Sequence, residues 1–192
     1  MPTLRTFARI ALGGLALAEG ASALARWQAR RETYDRAARR AATLHRPLVV
    51  VGDPDGGAHT RLYRAYGCGD LCVDLNGCPL CKVVQVADIT AGPLPGIADD
   101  SAVVFVSCVL EYVGDAAAAV HELRRIAGSP DNLFDVSVQP WTLTAALYPG
   151  ARWTAVRGNE QMTLTPISRP RKALTAGALA GLAAAALWPK QG

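Results

Sequence analysis

Short apolar runs separated by polar and glycine-rich breaks occupy the middle of the chain. The runs fall at 48–52, 71–75, 83–87, 103–107 and 133–138 (LVVVG, LCVDL, VVQVA, VVFVS, LFDVSV). They lack strict alternation, which predicts strands of a parallel sheet covered on both faces. Helical patterning predicts helices over 57–66 and 115–127, and RWTAV (152–156) and QMTLT (161–165) predict a short antiparallel pair. Between the third and fourth runs lie only about fifteen residues, including GPLPG (92–96), too few for a full crossover helix. PWTLTAALYPGARW (140–153) predicts a short helix ended by Pro149-Gly150, and Pro166 and Pro170 mark a linker at 166–172. The ends follow another pattern: an apolar helix at 7–25, a basic helix at 26–44 and an apolar helix at 173–188. The predicted fold is α/β, a doubly wound, mostly parallel sheet with apolar helices at both termini. The domain limits are 1–45, 46–168 and 169–192.

Polar residues gather just after each run, at the carboxyl ends of the strands, where open α/β sheets bind ligands. The landmarks are VGDPDGG (51–57), LCVDLN (71–76), VVQVADIT (83–90) and VFVSCVLEYVGD (104–115). In order and spacing they resemble the class I S-adenosylmethionine-dependent methyltransferases. The likeness is greatest to the methyltransferase-domain type, whose fourth strand runs into Leu-Glu-His-Val; here the segment reads LEYV (110–113). The resemblance covers roughly residues 47–140 and implies a reduced, Rossmann-like methyltransferase fold with S-adenosylmethionine as cofactor. It makes Gly52 and Gly56 the first and third glycines of a GxGxG turn. Asp74 becomes the acid that binds both ribose hydroxyls, and Asp88 the residue beside the adenine amino group. The implied cofactor-binding set is Gly52, Asp53, Gly56, Asp74, Leu75, Asp88, Ile89 and Ser107.

Two departures bear on the methionine half of that site. Pro54 stands at the middle glycine, fixing φ and removing a donor. Val50 stands where the family has an acid, and Asp53 or Asp55 is the available substitute. A dinucleotide-binding Rossmann unit is the competing reading, since it too places an acid about twenty residues beyond its glycine turn. Against it, the turn lacks GxGxxG, and LEYV has no role there. Either acid alone would also serve as an ordinary turn former or helix cap.

Charge changes the picture at the ends. The net charge is +4, yet residues 47–168 hold more Asp and Glu than Lys and Arg. The excess sits in Arg26, Arg30, Arg31, Arg36, Arg39, Arg40 and Arg46, which suggests an anionic neighbour or a solvated helix with pairs such as Glu32–Arg36. Few aromatics interleave with these arginines, which favours a membrane surface over nucleic acid. Residues 10–25 carry one charge, Glu19, and residues 173–188 none, so the C-terminal segment is the stronger expected anchor. Trp27 and Trp188 flank the segments, and Gly177 and Gly181 form a GxxxG face. Arg26, Arg30 and Arg31 after the first segment and Arg169, Arg171 and Lys172 before the second place the core on the cytoplasmic side. A hairpin of the two segments packed on the sheet is the alternative, as is a signal peptide cleaved after ALA (23–25).

Cys68, Cys72, Cys78 and Cys81 run C-x3-C-x5-C-x2-C, with Cys108 further on. Four thiolates suit zinc, but paired C-x2-C knuckles are lacking, so buried thiols and no metal are expected. His45, His59 and His121 show no ligand or triad spacing. Ser107 and Glu111 are the residues placed to face a methyl acceptor, a small or lipid-like molecule. Methyl transfer needs little beyond in-line positioning. The two functional expectations are therefore a membrane-associated methyltransferase and a non-catalytic, membrane-anchored descendant of that fold.

Overall fold

The computed structural model describes residues 4–55, 64–136, 152–157, 162–166, 178–181 and 183. Its first element, α1 (Leu4–Leu44), is one continuous helix of 41 residues where two were expected. No proline interrupts it, and each of Gly13, Gly14 and Gly20 costs only about 1 kcal/mol relative to alanine, too little to break a helix this rich in alanine. It stops where His45 turns left-handed (φ 54°). The Arg46 amide then donates to Ala41 O and the His45 amide to Ala42 O, satisfying carbonyls that the helix leaves open.

The strands β1 (Leu48–Val51), β2 (Leu71–Asp74), β3 (Val84–Val86), β4 (Val103–Ser107) and β5 (Leu133–Val136) form one sheet in the order β3-β2-β1-β4-β5. All four pairings are parallel. An α/β fold with a parallel five-stranded sheet is thus established, and its order reverses between β1 and β4.

Alternation along the strands divides the core in two. Leu48, Val50, Cys72, Val103 and Phe105 face the C-terminal half of α1 at Ala37 and Ala41. The Phe105 ring meets Tyr34 edge-on at 5.4 Å and Tyr66 at 5.0 Å. Val49, Val51, Val73, Val104 and Val106 face α2 (Ala116–Ala127), which buries Ala119, Leu123 and Ile126. Helix α2 starts where Asp115 accepts from the Ala118 amide and stops at left-handed Gly128. A separate antiparallel pair, β6 (Trp153–Arg157) and β7 (Met162–Pro166), lies at the expected place.

The β3–β4 connection contains turns and no helix, as its length required. It is tied to α2 instead: buried Glu122 accepts from the Leu94 amide at 2.7 Å and from Arg125 Nε and an Nη at 2.8 and 2.7 Å. One consequence corrects the expectation of strands covered on both faces. Val84 and Val86 on edge strand β3 are exposed, because no crossover helix lies between β3 and β4 to cover them.

A second correction concerns the cysteines. Cys68 is bonded to Cys81 and Cys72 to Cys78, while Cys108 stays free. The cause is the return from β2 to β3, only nine residues from 75 to 83, which folds the Cys78–Cys81 turn back against Cys68 and Cys72. Spacing along the sequence does not reveal that return.

Of the predicted helix at 57–66, residues 56–63 lie outside the described set, and Arg64 to Tyr66 are not helical. Residues 137–138 of the fifth strand, the short helix at 140–153 (apart from 152–153) and most of 173–188 also lie outside it. Residues 178–181 are helical.

Candidate functional site

The strand order reverses between β1 and β4, and a cavity of about 450 Å³ opens at the carboxyl ends of β1, β2, β3 and β4. Such a switch point leaves a crevice because neighbouring connections run to opposite faces of the sheet. Gly52 leaves β1 with φ +105°. A Cβ there would sit 2.8 Å from Val109 Cγ2 and 2.9 Å from Ser107 O, so both the backbone angle and the close approach of β4 require glycine.

Asp74 ends β2 and reaches the cavity wall. One carboxylate oxygen accepts from the Asp53 amide at 3.1 Å and the other from the Asn76 amide at 2.8 Å. An ionised carboxylate has about four acceptor sites, so this leaves capacity for ligand hydroxyls. Asp88 lies across the cavity beyond β3, exposed, with one oxygen accepting from the Thr90 amide and hydroxyl at 2.8 and 2.7 Å. Those two bonds from Thr90 hold its pKa below the ordinary carboxylate value, so it is anionic at neutral pH.

After Gly52 the chain leaves the cavity. Pro54 is fully buried, Tyr66 donates its hydroxyl to Asp53 O at 3.2 Å, and Asp55 pairs with Arg64 at 3.2 Å. Among the described residues of this turn, only Val51 and Gly52 line the cavity.

Cys108 follows β4 in a left-handed conformation (φ 53°) that brings it to the cavity wall. Arg30, from α1 on the far side of the sheet, donates to its sulfur at 2.8 Å. Burial pushes the Cys108 thiol above its ordinary pKa, and nearby Glu111 adds to that against the pull of Arg30. Burial likewise pushes Tyr66 up to about 12, against the opposing pull of nearby Ser107 and Arg30. Cys108 is therefore a neutral thiol and lacks the thiolate character of a nucleophile. At the rim, the Arg152 amide donates to Glu111 O at 2.6 Å, and Arg152 brings a cation to the lining.

The structure thus gathers Gly52, Asp74, Leu75, Asp88 and Ile89 around one cavity. Asp53 contributes its amide to Asp74, but its side chain accepts from the Asp55 amide. Ser107 is buried beneath the wall and Glu111 is buried beside Cys108, neither forming part of the lining. Gly56 and His59 lie outside the described residues. Sequence reasoning missed Cys108, Tyr112 and Arg152 as lining residues. Tyr112 belongs to LEYV and was within reach of that motif, whereas Arg152 arrives from a remote element with no local signal.

In comparisons with protein-family models, with curated proteins and with solved structures, no match to this chain was found.

Proposed function

We propose that the cavity takes the adenosine part of S-adenosylmethionine, and that the protein is a membrane-associated methyltransferase acting on a small or lipid-like acceptor. One observation carries this reading: acids from two successive strand ends, Asp74 and Asp88, share one cavity beside the obligatory glycine of the first strand. Together with the β3-β2-β1-β4-β5 order, this supports the Rossmann-like methyltransferase arrangement. The residues fit the group. Asp74 keeps free acceptor sites for ribose hydroxyls, and Asp88 is an anionic acceptor for an adenine amino group. Arg152 offers a cation for a carboxylate at the rim. When bound, S-adenosylmethionine supplies an electrophilic methyl group. The chain's part is to orient it and exclude water, which Val51, Val73, Val109 and Val113 around the cavity would do. The membrane part of the reading is supported by the exposed apolar face of α1, with Ile10 at 67% and Leu17 at 78% exposure.

A second reading has its own observation. Pro54 is buried, and among the described residues of the turn beyond Gly52, 53–55 pack away from the cavity, where the methionine half of the cofactor would need contacts. This favours a non-catalytic, nucleoside-binding scaffold. Calorimetry on the full chain in detergent separates the readings. S-adenosylmethionine should bind, and Asp74→Ala should weaken it by about 1.5–3 kcal/mol, the worth of hydrogen bonds to a charged group. Binding of adenosine with equal strength would favour the scaffold, and preference for a nicotinamide dinucleotide would replace both readings. Tight binding untouched by Asp74→Ala would remove Asp74 from the site.

A further inference from the structure

The four cysteines around β2 form a cluster as well as two pairs. The sulfurs of Cys72, Cys78 and Cys81 all lie within 4.8 Å of one another, and the Cys68 sulfur is bonded to that of Cys81. A tetrahedral zinc–sulfur site with bonds of about 2.3 Å holds its sulfurs about 3.8 Å apart. Those three sulfurs are therefore close to the required size, and Cys68 is brought to them through its bond to Cys81. The Cys81 amide donates to Cys78 O at 3.0 Å, closing the Cys78-Pro79-Leu80-Cys81 turn so that two sulfurs project from one tight loop. Cys72 comes from rigid β2, and Cys68 from the segment leading into it. Left-handed Gly69 (φ +63°) and Gly77 (φ +82°) set the bends between them.

Charge also fits. Four thiolates around Zn²⁺ leave a net charge of −2, and an Arg64 guanidinium nitrogen lies 3.0 Å from the Cys68 sulfur and 3.7 Å from that of Cys81. Zinc would also cross-link a nine-residue parallel-strand return that has no helix to hold it.

We propose that the reduced form of this cluster is a structural zinc site, Cys68, Cys72, Cys78 and Cys81 being its four ligands, and that the two disulfides are its oxidised, metal-free form. Two molecules of a dithiol reductant convert one form to the other. Each delivers two electrons and two protons to one S–S bond and is itself oxidised to a disulfide. One Zn²⁺ then displaces four protons from the four thiols. In a reducing compartment the thiol form is the one that persists. The site rests on neither the cofactor reading nor the membrane reading, since its ligands are outside the cavity lining and outside the terminal segments.

The test uses the full chain in detergent, reduced without oxygen and titrated with Co²⁺. About one cobalt per chain should bind, with sulfur-to-metal charge transfer and the intense visible bands of a tetrahedral thiolate site, and one equivalent of Zn²⁺ should bleach them. Zinc should shield four thiols from alkylation and leave the fifth, Cys108, to react only on unfolding. Cys108→Ser should bind cobalt unchanged, and the pair Cys78→Ser with Cys81→Ser should lose the spectrum. Weak octahedral bands, well under one metal per chain, or the same spectrum in the double variant would overturn the proposal. If the double variant does not fold, the thiol count in the unmodified chain decides the matter: four thiols whose protection depends on zinc support the site and none removes it.

Discussion

The two halves of α1 use opposite side chains for opposite surroundings. Towards its C-terminus the helix buries small residues, Thr33, Ala37 and Ala41, and packs tightly on the sheet beside Phe105. Towards its N-terminus it carries large apolar residues, Phe7, Ile10, Leu17 and Leu24, and leaves them exposed. Close approach of a helix to a parallel sheet favours small groups at the contact, a constraint that the exposed N-terminal half does not meet. Composition alone would rank the apolar N-terminal half as core and the arginine-rich half as surface. The structure reverses that ranking, and the Thr6–Leu44 stretch is long and apolar enough to cross a membrane.

The largest expected effect tests the tightly packed half. Phe105→Ala removes the ring on which Tyr34 and Tyr66 rest and should cost about 3–5 kcal/mol in a denaturant titration. A loss below about 1 kcal/mol would mean that α1 is not held by this packing. Next comes the exposed half. In a chain ending at 172, so that one terminal segment remains, Leu17→Lys adds about 2.5–3.5 kcal/mol to bilayer insertion and should move protein from vesicles to the soluble fraction. Its unfolding midpoint should stay within about 0.5 kcal/mol of the unmodified chain, because Leu17 touches no core. Unchanged vesicle binding would end the membrane interpretation of this half.

The smallest effect sharpens the contrast by adding α2, which buries a charge where α1 buries alanine. Arg125 holds the Glu122 pKa below its ordinary 4.5, the Leu94 amide assisting against the opposing effect of burial. A depressed folded-state pKa makes the unfolded chain bind the proton more readily, so this contribution is complete above the unfolded value and fades as pH falls through the folded one. Glu122→Gln should cost about 1 kcal/mol at neutral pH and flatten the stability curve below pH 4.5. Parallel acid profiles for the two proteins would show that the β3–β4 connection does not depend on this carboxylate.

The strands were legible because their cause is local. β1 and β4 read as unbroken valine-rich runs, and a run buried on both faces has no other stable place. The cavity was legible for the same reason: Gly52 follows β1, Asp74 closes β2 and Asp88 lies two residues beyond β3, and parallel pairing brings strand ends together. What sequence could not convey depends on distant partners. Arg30 reaches Cys108 across 78 positions, and Arg152 enters the lining from beyond β5. The cysteine pairing turns on how tightly the chain doubles back after β2, a property of the sheet and not of any spacing. The division of α1 into two helices was drawn from composition, and composition changes at residue 26 while the backbone does not.

That unbroken backbone bears on how the protein is moored. At 1.5 Å per residue, α1 is a rod about 60 Å long, and only about 5–9 Å of it separates Leu24 from Trp27 and Arg30, where it is first held to the domain. On the proposed membrane reading there is no slack tether. The domain would ride at a fixed height, as on a mast, and its cavity would sweep a narrow band above the lipid instead of searching a volume. Inserting a flexible hinge near Arg26 would trade that fixed standoff for reach.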